Sequence, residues 1–472
     1  MTPARRLTLI ATILGASMVF IDGTVVNVAL PAVQRDLGGG LAAQQWVVDA
    51  YLLTLGSLIL VGGSLGDIFG EVRMFILGVV GFGLASVLCA IAPDITTLIA
   101  FRGIQGIAGA LLTPASLALI TATFSGEERG AAIGTWTAWT GISIVIGPLL
   151  GGWLIDVASW RAIFFVNVPI AVLTVVLALR LPGRARKRTA VRVDFVGAAL
   201  CTFGLGALVF GFIEQPRLGW GNPAVAGTIA GGVVLLAAFL HYESRTPEPM
   251  LPLRLFRSRN FAVTNIETLA VYGALSGSFF FLALFLQQRA GWSPLEAGAA
   301  TAPVTVVMFL FSRKVGALSA RYGPRFFMAL GPIVAGLSML GFARLPEHVN
   351  YLTDVLPPLI GFSVGMTLTV APLTTTVLSE AGPGDAGIAS GVNNAVARVA
   401  GLLAIALLGI AAGGRLTTSG FHRSIVFTSI FLVIGGLIGA VGIRNPPSVR
   451  SSRSADSRES PASGLPSPSR PS

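Results

Sequence analysis

Residues 62–75 read GGSLGDIFGEVRMF, and residues 315–328 read VGALSARYGPRFFM. Gly63, Leu65 and Gly70 of the first stretch recur as Gly316, Leu318 and Gly323 of the second, 253 positions on. A second pair of stretches has nearly the same separation. ERGAAIGTWTA at 128–138 places Gly130, Gly134 and Ala138 where DAGIASGVNNA at 385–395 places Gly387, Gly391 and Ala395, an offset of 257. Two separate motifs with so similar an offset mark an internal repeat.

The runs on either side of these stretches are apolar. Of the 472 residues, 53% are hydrophobic and 11% charged, with a mean hydropathy of +0.79. A soluble chain carries about 25% charged residues, so this composition belongs in lipid. Windows of about 20 apolar residues, enough to cross some 30 Å of hydrocarbon as helix, recur fourteen times, from 7–30 to 424–443. They do not alternate with a two-residue period, which favours a helical bundle over a barrel. The first window holds Asp22 and no clear cleavage pattern, so it reads as a retained helix. The repeat maps windows one to six onto nine to fourteen, with seven and eight inserted. Both halves then face the same way, an arrangement that suits halves rocking around a midplane site. The expected organisation is an all-α membrane protein. It has a first six-helix bundle (1–181), linkers with two inserted helices (182–255), a second bundle (256–443) and a disordered cytoplasmic tail (444–472).

The net charge of +11 does not point to nucleic acid, because of where it sits. With the N-terminus inside, 23 of the 32 Lys and Arg fall in inner loops and tails and 7 outside, while Arg102 and Arg398 lie within spans. That is the positive-inside bias, and it predicts both termini in the cytoplasm of a plasma-membrane protein. The run Arg184, Arg186, Lys187, Arg188, Arg192 reads as an anchor on anionic lipid. Two cysteines and three scattered histidines supply no disulfide framework or metal site. No phosphate-binding loop or nucleophile pattern appears, so no enzyme, cofactor or ATP site is expected, and transport would draw on an ion gradient.

Five further strings occur in order: IDGTVVNVALP at 21–31, GSLGDIFGEVR at 63–73, FRGIQGIAGA at 101–110, GPLLGG at 147–152 and WRAIFFVNVPI at 160–170. Together they resemble the major facilitator superfamily, and in particular its fourteen-helix drug/proton antiporters. The resemblance covers roughly residues 7–443. It implies two six-helix bundles related by a pseudo-twofold axis, plus two central helices. It also implies an inner gate at Gly63, Asp67, Gly70 and Arg73, and an exporter-type fifth span at Gly147, Pro148, Gly151 and Gly152. The chain departs from the pattern at Ile68 and Glu71, where basic residues are usual, and at Ala320, where the second copy lacks the aspartate of Asp67. Asn393 and Asn394 are neutral where some exporters of dications carry acid.

Charged groups inside the spans are functional candidates by default. At 1.5 Å per residue, Asp22 lies about 12 Å, Asp49 about 5 Å and Arg102 about 8 Å below the outer surface. The three are expected to converge. In one reading a carboxylate binds proton or substrate while Arg102 tunes it; in the rival reading Arg102 and one aspartate form a structural pair. Glu267, about 10 Å from the cytoplasmic end of the ninth span, is a further proton or substrate site, with Arg398 a candidate partner. Asn27, Gln105, Asn393, Asn394 and Arg398 are candidate cavity residues, and Asn167, Asn265 and Gln287 are further polar residues in apolar surroundings. The expectation is a monomeric, proton-coupled exporter of small amphiphilic compounds embedded in lipid. A nutrient importer and a non-transporting receptor or scaffold stand as alternatives.

Overall fold

A computed structural model describes residues 2–181, 193–346 and 348–445. The basic run from Arg184 to Arg192 and nearly all of the tail lie outside the described residues. The first six spans are Pro3–Leu37, Leu41–Phe69, Glu71–Ala90, Ile95–Thr123, Gly126–Val157 and Ala162–Ala178. The seventh and eighth are Phe195–Leu218 and Pro223–Arg245. The last six are Arg259–Gln288, Pro294–Tyr322, Pro324–Arg344, Tyr351–Glu380, Gly382–Ala412 and Thr418–Gly442. All fourteen apolar windows are therefore helical, thirteen in stretches of 20 residues or more and the sixth in two shorter helices, Ala162–Phe165 and Asn167–Ala178. The first helix outruns its window at both ends because Arg5, Arg6, Arg35 and Asp36 continue it beyond the apolar stretch.

Local chemistry sets the ends. Asp94 caps the fourth span, accepting from the Thr97 backbone N–H (2.9 Å) and hydroxyl (2.7 Å). Those two donations hold its carboxyl below the ordinary carboxylate range, so the cap stays charged. The repeated glycines end the second and tenth spans. Gly70 (φ 93°) and Gly323 (φ 88°) take a left-handed turn that a side chain would strain, and their N–H groups reach back to Gly66 and Ser319 carbonyls.

The repeat is visible in packing as well. A Cβ on Gly78 in the third span would stand 2.8 Å from the Leu112 nitrogen in the fourth. Its counterpart Gly331 in the eleventh backs onto Gly365 in the twelfth, whose carbonyl oxygen would lie 2.7 Å from an added Cβ. Missing side chains at matching places let paired backbones approach in both halves. On the outside, Leu84, Phe203 and Val441 are 63%, 68% and 75% exposed, as an apolar lipid-facing surface requires.

The halves meet along two seams. Spans two and thirteen pack from Gln45, whose Nε2 donates to the Ile405 carbonyl at 2.5 Å, past Gly56 and Arg398 to Leu60 and Gly391. The seventh span covers this seam from outside, where Thr202 donates to Ser57 at 2.9 Å. Spans five and ten touch at the end remote from the chain termini, through Gly152 against Leu295 and Gly298 against the Pro148 carbonyl. At that same end Gln287 donates to the Val28 carbonyl at 3.0 Å and Gln288 to Gln34 at 3.0 Å. Toward the end that carries the termini, Thr135 and Trp139 of span five and Phe309 and Leu310 of span ten stand exposed. Beyond Ala300 span ten barely touches span five, so the two diverge toward that end and leave a cleft between them.

Candidate functional site

Asp22 and Arg102 form an ion pair with 0% and 1% side-chain exposure. Gln105 donates to Asp22 at 2.8 Å and to Ser86 at 2.9 Å, and Asn167 donates to Asp22 at 3.2 Å. Arg102 also donates to the Gln105 side-chain oxygen Oε1 (2.5 Å) and, from Nε, to the Val47 backbone carbonyl (3.0 Å), with its guanidinium 4.3 Å above the Tyr51 ring. Five helices of the first half are tied through one polar knot. Each interhelical bond in a membrane contributes only about 0.6 kcal/mol on average, but breaking a buried pair costs far more. Both charges are compensated, which is the geometry of the structural pair weighed above. Gln105, expected in the cavity, belongs to this knot.

Asp49 does not join it. The carboxylate is fully buried, and neither oxygen has a hydrogen-bond partner among the described residues. The expected three-way convergence failed because depth was considered without rotation. Val47 and Tyr51 are one turn apart and serve Arg102, so Asp49, midway between them, lies on the opposite side of the helix. There it shares a face with Gln45 and Gly56, both in contact with span thirteen. Asp49 is an orphan carboxyl in the seam between the halves.

Glu267 is fully buried too, with both oxygens lacking partners among the described residues. Its Oε2 lies 2.9 Å from where a Cβ on Gly439 would be, beside the Met328 carbonyl. It therefore sits among spans nine, eleven and fourteen, inside the second bundle and away from the seam. Arg398 is not its partner. The guanidinium crosses to the first half and lies 5.3 Å from the centroid of the Phe20 ring. Asn393 donates to Thr268 (2.8 Å) and Asn265 (3.2 Å), stitching spans nine and thirteen. Asn394 is exposed and donates to its own helix at the Ser390 carbonyl. Asn27 is half-buried, and its Oδ1 lacks a partner among the described residues.

Around the Gly70 turn, Gly63 and Gly70 are half-buried, while Asp67 and Arg73 are exposed at the end that carries the termini. The exporter-type glycines are contact points within a continuous helix. Gly147 and Gly151 back onto Thr24 and Val25 of the first span, whereas Gly152 faces span ten, with Pro148 beside Gly298. A Cβ on Gly152 would stand 2.5 Å from Leu295 Cα and 2.6 Å from the Pro294 carbonyl. Overpacking of this kind costs about 1–3 kcal/mol. Gly152→Ala is therefore expected to disfavour the closed end by roughly 5- to 150-fold. Electron–electron distance measurement between spin labels at Val157 and Trp292 should show a longer population; an unchanged distribution would refute a gating contact at Gly152.

Sequence reading singled out Asn167 and Gln287 as polar residues without placing them. It missed Ser86, Tyr51 and Gln45 altogether. A serine or tyrosine in a membrane helix carries no pattern of its own, and Gln45 lies too near the helix start to stand out as intramembrane.

The family model described as Major Facilitator Superfamily matches residues 12–405. Over 420 residues the chain is 37% identical to the puromycin resistance protein of Streptomyces alboniger, covering 87% of this chain and 82% of that protein. It is 33% identical over 410 residues to the tetracenomycin C resistance and export protein of Streptomyces glaucescens, covering 86% and 76%. Among solved structures, a POT family transporter superposes with a TM-score of 0.69 at 13% identity, over 92% of this chain and 94% of its own, a likeness of fold alone. Repeated halves, fourteen spans and a family match over most of the length agree: the chain belongs to the major facilitator superfamily.

Proposed function

We propose that this chain exports small amphiphilic molecules across the plasma membrane in exchange for protons. In this reading its halves, 1–181 and 256–443, rock about the seams they share while the segment 182–255 spans between them. The observation that carries the reading is Asp49, a buried carboxyl without a partner among the described residues, placed where the halves meet. An uncompensated charge there would cost several kcal/mol. The seam therefore closes on the protonated acid, and loss of the proton drives it open. Proton binding from outside and release inside would then be tied to the direction of rocking. Glu267 is a second candidate proton carrier, held within the second bundle.

The names of the matched relatives, a puromycin resistance protein and a tetracenomycin C resistance and export protein, support export over uptake. The positive-inside bias supports cytoplasmic termini, and on that orientation the cleft between spans five and ten faces the cytoplasm. A compound awaiting expulsion would enter there. Asp67 and Arg73, with the Gly63–Gly70 turn, would tighten when that end closes.

The driving force is modest. One proton moving down about 100 mV contributes about 2.3 kcal/mol, and each pH unit adds about 1.36 kcal/mol. For a neutral solute the two together sustain a gradient of roughly several hundredfold.

Everted vesicles holding the protein and acidified inside should accumulate tetracenomycin C, and adding it should release protons from the lumen. Accumulation under the opposite gradient would establish an importer instead. Absence of flux for tetracenomycin C and for a panel of dyes would remove the transport reading.

A further inference from the structure

Arg102 and Arg398 lie deep within their spans, and their surroundings differ. Arg102 gives its donors to Asp22, Gln105 and the Val47 carbonyl. Arg398 has no hydrogen bond or ion pair among the described residues. It is half-buried, and its Cβ lies 3.1 Å from where a Cβ on Gly56 would stand. Its guanidinium reaches across the seam to Phe20, at the middle of the first span. Cations at this depth in a membrane protein pair with acids or line a watery path. A single aromatic face offsets only part of the cost. The two orphan carboxyls do not serve it. Glu267 is turned toward Gly439 inside the second bundle, and Asp49 lies about two turns further along span two than Gly56, toward the closed end.

The surroundings describe a ligand. Phe20 meets Trp136 of span five edge-on, with ring centroids 6.5 Å apart. The Trp136 indole N–H is buried and has no acceptor among the described residues. Guanidinium, aromatic ring and unspent N–H thus come from spans thirteen, one and five, at the level where the cleft ends. The one unspent acceptor on this face of the first span is Asn27 Oδ1, two turns further toward the closed end. Two donors beside an aromatic wall match a planar acid better than a cation, because a charge-assisted bond to a carboxylate or phenolate would satisfy the guanidinium while the ring stacks.

We infer that Arg398 anchors an acidic group, carboxylate or phenolate, on an aromatic substrate held between the two halves. This rests on the export reading above and names the substrate class.

Two xanthene dyes that share one ring system, anionic fluorescein and cationic rhodamine 123, test it. Each is titrated onto purified protein in nanodiscs and followed by fluorescence anisotropy, so binding is read without transport. Wild type should bind fluorescein saturably. Arg398→Gln should weaken fluorescein at least tenfold and change rhodamine 123 less than twofold; Arg398→Lys should fall between. An unchanged melting temperature confirms that the variants are folded. Equal loss of both dyes in Arg398→Gln, or no saturable fluorescein binding to wild type, would overturn the inference. Fluorescein that binds through Arg398 but is never driven across vesicles by a pH gradient would instead sink the export reading and leave the acid anchor standing.

Discussion

Arg102→Ala is expected to destabilise the protein by about 3–5 kcal/mol, because it strands the Asp22 carboxylate in a dry site among five helices. Gln105 and Asn167 would remain as its donors, at 2.8 and 3.2 Å, but neither supplies a counter-charge. Asp22→Asn should cost a similar amount, since it leaves the guanidinium over Tyr51 without its carboxylate. Removing both charges together, as Asp22→Asn with Arg102→Met, should be milder than either single change, because no unpaired ion remains. Thermal inactivation rates in detergent, compared across the cycle, give the coupling between the two positions. Additive losses would mean that the pair does not hold the bundle together. Depth alone makes Asp22 and Asp49 equal candidates for the proton; the knot surrounds Asp22 with partners and leaves Asp49 without one among the described residues.

The second large effect is functional. Asp49→Asn should bring pH-driven accumulation in everted vesicles to background, a loss of about tenfold for each pH unit imposed, which is the gradient that one proton sustains. Folding should survive. Asp49 has no partner among the described residues to lose, and an amide in the seam between spans two and thirteen needs no proton to be neutral. Exchange of labelled for unlabelled substrate without a gradient should persist, since a permanently neutral seam can still rock. Intact pH-driven uptake in Asp49→Asn would remove the coupling role from this residue and direct the same test to Glu267→Gln. Loss of both driven uptake and exchange would instead mark Asp49 as a residue the resting packing requires.

Much of the architecture is legible in the sequence. The fourteen apolar windows became fourteen spans, because a run of about twenty apolar residues has one low-energy form in lipid. The GGSLG and VGALS stretches predicted a turn, and Gly70 and Gly323 make matching ones at φ near 90°. The Asp22–Arg102 meeting was also anticipated from their depths. The failures share one form. By depth Asp49 belongs with Arg102, yet it faces the other way; Arg398, a candidate partner of Glu267, crosses to Phe20.

From the chain of letters alone came what lies at which height: span count, repeat, the buried ions and the separation of the halves. Helical rise converts residue number directly into depth, so no tertiary information is needed for these. Which side of each helix faces which neighbour was decided only by the folded molecule. A helix in lipid is apolar all round, and it lacks the polar stripe from which a soluble helix's buried face is read. Packing of small residues such as Gly56, Gly152 and Gly439 sets that rotation, and with it which charges meet and which stay alone.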